Sequence, residues 1–143
     1  MTGENSTGKT IARPLAGLRI LVVEDEMLVL MNIEAALKEL GCTAISVAAT
    51  IAKALALLDY KNFDAAMLDV NLQGEKSYPV AEALAFRGIP FAFSTGYGDH
   101  GERADFADRP FLRKPYLRRE LDAVLGRLVA PNKWSGREAK ALV

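Results

Sequence analysis

Five residue positions could share one piece of chemistry. Glu24 and Asp25 follow the apolar run Ile20-Leu21-Val22-Val23, and Asp69 follows Ala65-Ala66-Met67-Leu68. Thr95 follows Pro90 to Ser94, and Lys114 follows Phe111-Leu112-Arg113. Carboxylates meeting in one crevice repel, and a hard divalent cation with oxygen ligands, typically Mg2+, relieves the repulsion. Such an ion also neutralises phosphoryl oxygens during transfer. An ionised aspartate there can act as a nucleophile and form an acyl phosphate. A lysine supplies a compact cation for a phosphoryl oxygen, and a threonine hydroxyl can donate to another.

The elements that must position these residues alternate. Arg19 to Val23 is a short β-branched run that reads as a buried strand. Met27 to Leu40 carries Leu30, Ile33, Leu37 and Leu40 at helical spacing, with Gly41 as a stop. Thr43 to Ala48 is strand-like, and Thr50 is a good N-cap for a helix over Ile51 to Leu58. After Asp69 comes a turn through Asn71, Gln73 and Gly74, then a helix from about Pro79 to Arg87 closed by Gly88. Pro90 to Ser94 and Phe111 to Arg113 read as further strands. Leu117, Leu121, Val124, Leu125 and Leu128 form the stripe of a final helix.

This alternation implies an α/β fold with a parallel sheet covered on both faces. In such folds the crevice lies outside the carboxyl ends of the strands, where the candidate residues fall. Gly96 to Pro110 breaks the rhythm. It has no apolar stripe and several glycines and acids, so a loop or a short helix is expected where a full helix would normally stand.

At 143 residues the chain has the size of one domain. Residues 1–16 and 131–143 read as flexible tails around a folded unit at 17–130. Lys plus Arg and Asp plus Glu both number 18, which gives no sign of a nucleic-acid or membrane partner. The single cysteine, Cys42, excludes an internal disulfide framework and suits buried packing. With no apolar leader and no run near ~20 residues, a cytoplasmic location is the expectation.

In this order, the motifs Glu24-Asp25, Asp69, Thr95 and Lys114-Pro115 resemble the receiver (response-regulator) family over roughly residues 18 to 129. The resemblance implies a flavodoxin-like, doubly wound five-stranded sheet of order 2-1-3-4-5. It implies Asp69 as phosphoacceptor, and Mg2+ held by Glu24, Asp25, Asp69 and the backbone carbonyl of Asn71. Thr95 and Lys114 would contact the phosphoryl group. Phe111 stands at the family's aromatic switch position and lacks the hydroxyl of a tyrosine. Pro90 to Gly98, PFAFSTGYG, is similar to a mainly alphaproteobacterial single-domain subfamily with a Phe-Ala-Thr-Gly-x-Tyr-like signature, except for Ser94. That subfamily is often associated with histidine kinases of the HWE type and has an atypical fourth helix. The family implies a signalling switch rather than an enzyme. It would be phosphorylated by a histidine kinase or a histidine phosphotransfer protein, and would act through a further protein or as a phosphate sink. Tyr97, Phe111 and Arg113 are its expected partner surface.

Each residue alone has a plainer reading. Glu24 and Asp25 suit a helix N-terminus. Asp69, Asn71 and Thr95 suit turns and caps, Lys114 suits solvent, and Phe111 suits the core. Two rival functions follow. Gly3 to Thr10 fits G-x-x-x-x-G-K-[ST], a nucleotide-binding pattern, but only Met1 and Thr2 precede it where a strand is required. A phosphate-independent interaction module is the other rival, and unneutralised carboxylates argue against it.

Overall fold

The computed structural model describes residues 14–96 and 104–129. Its strands are β1 (Arg19–Val23), β2 (Ala44–Ala48), β3 (Ala65–Asp69), β4 (Asn71–Leu72), β5 (Glu75–Lys76), β6 (Phe91–Thr95) and β7 (Phe111–Arg113). Its α-helices are α1 (Met27–Glu39), α2 (Ile51–Tyr60), α3 (Tyr78–Phe86) and α4 (Arg118–Val129). One parallel sheet runs β2-β1-β3-β6-β7, the flavodoxin-like order expected once the small β4–β5 hairpin is set apart.

Period-two alternation in β1 and β3 serves two cores at once. Ile20, Val22, Ala65 and Met67 face the layer of α1 and α4, where Ile33, Leu37, Leu121 and Leu125 pack. Leu21, Val23, Ala66 and Leu68 face the layer of α2 and α3, where Leu57, Val80 and Leu84 pack. Leu15, inside the stretch read as a tail, is fully buried in the first layer, and its N–H donates to the Leu40 carbonyl at 3.0 Å. Cys42 is buried as expected.

Local signals account for three of the eight α-helix ends among the described residues. The Thr50 hydroxyl accepts from Lys53 N–H at 3.0 Å and caps α2. Gly41 and Gly88 have φ of +101° and +71°, the left-handed geometry that closes α1 and α3. Leu117 departs from the expected stripe, being exposed just before α4. Among the described residues, the link from β6 to β7 holds only a 3₁₀ turn, Ala104–Phe106. Phe106 anchors that turn against Phe91 and Phe93, with ring centroids 5.8 Å from each. No described helix is long and apolar enough to cross a membrane.

Candidate functional site

The strand ends bring four of the expected residues together. Glu24 and Asp25 follow β1, Asp69 ends β3 and Lys114 follows β7. Carboxylate oxygens of Glu24, Asp25 and Asp69 all lie within 4.8 Å of one another. They sit at a cleft of about 670 Å³ whose lining includes Asp25, Asp69, Asn71 and Lys114.

Lys114 reaches across the acids. Its Nζ donates to Glu26 Oε1 at 2.8 Å, Asp69 Oδ2 at 3.2 Å and Glu24 Oε2 at 3.3 Å. Glu24 Oε2 also accepts from Glu26 N–H at 3.0 Å, so the helix-start reading of Glu24 is partly realised. Glu26 is the N-cap residue of α1, yet its side chain makes no capping bond and turns to Lys114 instead.

The hairpin after β3 is the part of the site that the turn reading did not contain. Gln73 and Gly74 have φ of +52° and +86°, left-handed at both central positions as a two-residue hairpin turn requires. Gln73 N–H donates to Asp25 Oδ2 at 3.0 Å, which fastens the hairpin tip to the acidic cluster. Its base is fastened by Ser77, whose hydroxyl donates to the Asp69 carbonyl at 2.5 Å. Asn71 N–H donates to Asp69 Oδ1 at 3.1 Å.

Burial and like charge set the protonation of this cluster. Burial, then the neighbouring Asp69 charge, pushes the Glu24 carboxyl up to about 7. Burial also raises Asp69, against the pull of Lys114. Burial opposes the charge on Lys114, but its bond to Glu26 and the Asp69 and Glu24 charges outweigh that and hold its pKa above the ordinary value.

These residues fit a hard cation. Glu24 Oε1 and Asn71 Oδ1 are buried with no hydrogen-bond partner among the described residues. Glu24 Oε1 lies 3.2 Å from Lys114 Nζ but outside hydrogen-bond geometry, so it keeps an open lone pair beside two other carboxylates.

The other expected residues fall elsewhere. Thr95 is fully buried at the end of β6, where its hydroxyl donates to the Gly96 carbonyl at 3.4 Å and its own carbonyl accepts from Lys114 N–H at 2.8 Å. Phe111 is not a core residue. It is 44% exposed and borders a groove with Arg113 and Glu120. Tyr97 lies outside the described residues, as does the glycine-rich stretch 3–10. Sequence reasoning missed Glu26 and Tyr116. Tyr116 lines the cleft with a buried hydroxyl, and burial followed by the Glu24 charge pushes it up to about 12. Its place two residues after Lys114 was the one available signal.

Residues 20–125 match the response regulator receiver domain family. The chain belongs to that family. It is a receiver, of the type that acts as a signalling switch in two-component systems. The solution structure of SdrG from Sphingomonas melonis Fr1 is 47% identical, with a TM-score of 0.71, covering 78% of this receiver and 95% of that chain. The BeF3-activated conformation of SdrG from Pseudomonas melonis Fr1 is 46% identical, with a TM-score of 0.68 and coverage of 80% and 98%. The receiver domain of the sensor histidine kinase PA1611 from Pseudomonas aeruginosa PAO1, with a magnesium ion coordinated in its active site cleft, is 28% identical. Its TM-score is 0.68, with coverage of 80% of this receiver and 99% of that chain. The comparison with curated proteins gave no match.

Proposed function

We propose that this receiver is a phosphorelay switch that takes a phosphoryl group on Asp69 with the help of Mg2+. The donor is a phosphohistidine of a histidine kinase, of the HWE type by subfamily resemblance, or of a phosphotransfer protein. The observation that carries the reading is Lys114 Nζ at 3.2 Å from Asp69 Oδ2, above three converging carboxylates.

In the transfer, an Asp69 carboxylate oxygen attacks phosphorus, a P–O bond forms and the P–N bond to the donor imidazole breaks. The imidazole leaves with the electron pair and takes up a proton. Glu24, Asp25, Asp69 and the Asn71 backbone carbonyl would hold Mg2+, which when bound neutralises phosphoryl oxygens. Asn71 N–H and Ser77 orient Asp69 from the hairpin side. Lys114 supplies a fixed positive charge for a phosphoryl oxygen, and Thr95 a hydroxyl for another. Phe111 and Arg113, both exposed on β7, form the surface through which the state is read by another protein. Transfer of the phosphoryl group onward, as in a phosphate sink, uses the same chemistry.

Intact-protein mass after incubation with acetyl phosphate and Mg2+ tests the reading. One phosphoryl group should be gained, and neither Asp69→Ala nor a chelator-treated sample should gain it. If no mass is gained and beryllium fluoride with Mg2+ also fails to bind, the phospho-switch reading is wrong.

A further inference from the structure

We infer that Glu26 is a positioning residue that holds Lys114 at the rim of the cleft and competes with the phosphoryl group for it. The inference rests on the phospho-switch reading and adds a residue that sets how strongly the phosphoryl group is held.

Lys114 has three carboxylate neighbours, and they are not equivalent. The contact to Glu26 is the shortest, at 2.8 Å against 3.2 Å to Asp69. Glu24 and Asp69 are almost wholly buried, whereas the Glu26 side chain is 61% exposed. Glu26 therefore draws the ammonium toward solvent, and the other two draw it toward the reacting carboxylate.

Glu26 also stands apart from the acids that could share a cation. The cluster within 4.8 Å contains Glu24, Asp25 and Asp69 and does not include it. Its negative charge is thus not needed to hold Mg2+, yet it lines the same cleft. A phosphoryl group on Asp69 brings several anionic oxygens that need the Lys114 ammonium. Glu26 opposes them twice, by occupying that ammonium and by like-charge repulsion across a short distance. Losing an exposed carboxylate leaves little behind unpaired, because water takes its place and Glu24 and Asp69 still hold Lys114.

The test uses the full chain with saturating Mg2+ and titrates beryllium fluoride, a phosphoryl mimic, into native protein, Glu26→Gln and Glu26→Asp. Glu26→Gln should bind about fivefold more tightly, the scale of one exposed ion pair. Glu26→Asp keeps the charge and should stay within about twofold of native. A second arm, without Mg2+ or mimic, follows hydrogen exchange of the Lys114 ammonium by nitrogen-15 NMR. That exchange should accelerate in Glu26→Gln. Equal or weaker mimic binding by Glu26→Gln, or unchanged ammonium exchange, overturns the inference. If native protein binds no mimic, the phospho-switch reading fails and the competition falls with it. The NMR arm separates this case, since the Glu26–Lys114 pair is then still detected.

Discussion

The centre and one end of the sheet's carboxyl edge are built on opposite terms. At the centre, β1 and β3 are buried on both faces, and the acids that follow them sit on backbone locked into two cores. At the edge, β7 is three residues long and alternates exposed, buried, exposed. Reactive groups need fixed geometry, so they belong where packing is densest. A surface that must change in order to be read belongs where little holds it. Lys114 joins the two regions, since it follows the edge strand and ends among the central acids.

The sharpest way to break this contrast is at its centre. Asp69→Ala should abolish phosphoryl uptake entirely while leaving the circular dichroism spectrum native, read by intact mass and spectroscopy. Retained uptake would remove the centre from the chemistry. Packing comes next. Phe91 is fully buried, so Phe91→Ala should cost about 3–5 kcal/mol in denaturant unfolding. Phe111→Ala, at the exposed edge, should cost under about 1 kcal/mol. Equal costs would erase the distinction.

The acids give a prediction of intermediate size. The Glu24 carboxyl is raised in the folded state from 4.5 to about 7. A raised folded-state pKa contributes stability that is full below the unfolded value and lost as pH climbs through the folded one. Without divalent cation, then, stability should fall between about pH 4.5 and 7, by on the order of 3 kcal/mol from this group. Added Mg2+ should raise the melting temperature more at pH 8 than at pH 5, because protons compete for the same oxygens. A flat profile would mean that Glu24 is not strained by its surroundings. The smallest effect is expected at the hairpin. Gln73→Gly suits φ of +52° and should change stability by less than about 1 kcal/mol, measured by thermal melting.

Much of this site was legible because the carboxyl ends of alternating strands and helices have few places to go. Glu24, Asp25, Asp69 and Lys114 each follow an apolar run, and the sheet order brings such positions together. Glu26 was not legible. Its role depends on Lys114, 88 residues away, arching over the start of α1. Phe106 was missed because it is an isolated apolar residue in a polar stretch, and Leu15 because it stands between Pro14 and Gly17, outside any run of helical or strand period. The hairpin was read only as a turn, since Gln73 is a residue type that does not advertise left-handed geometry. Thr95 was correctly placed at a strand end, but sequence carries no information on where its hydroxyl points.

Leu15 has a practical consequence for where this domain can be trimmed. A fragment beginning at Arg19 would contain every strand and helix described and still lack a fully buried leucine beside Leu40. The vacancy would open between the end of α1 and the sheet, at the pole remote from Asp69. Leucine-to-alanine truncations in cores cost about 2–5 kcal/mol, a large share of a domain's total stability. Such a fragment would be weakened by its missing plug while its acidic cleft stayed intact.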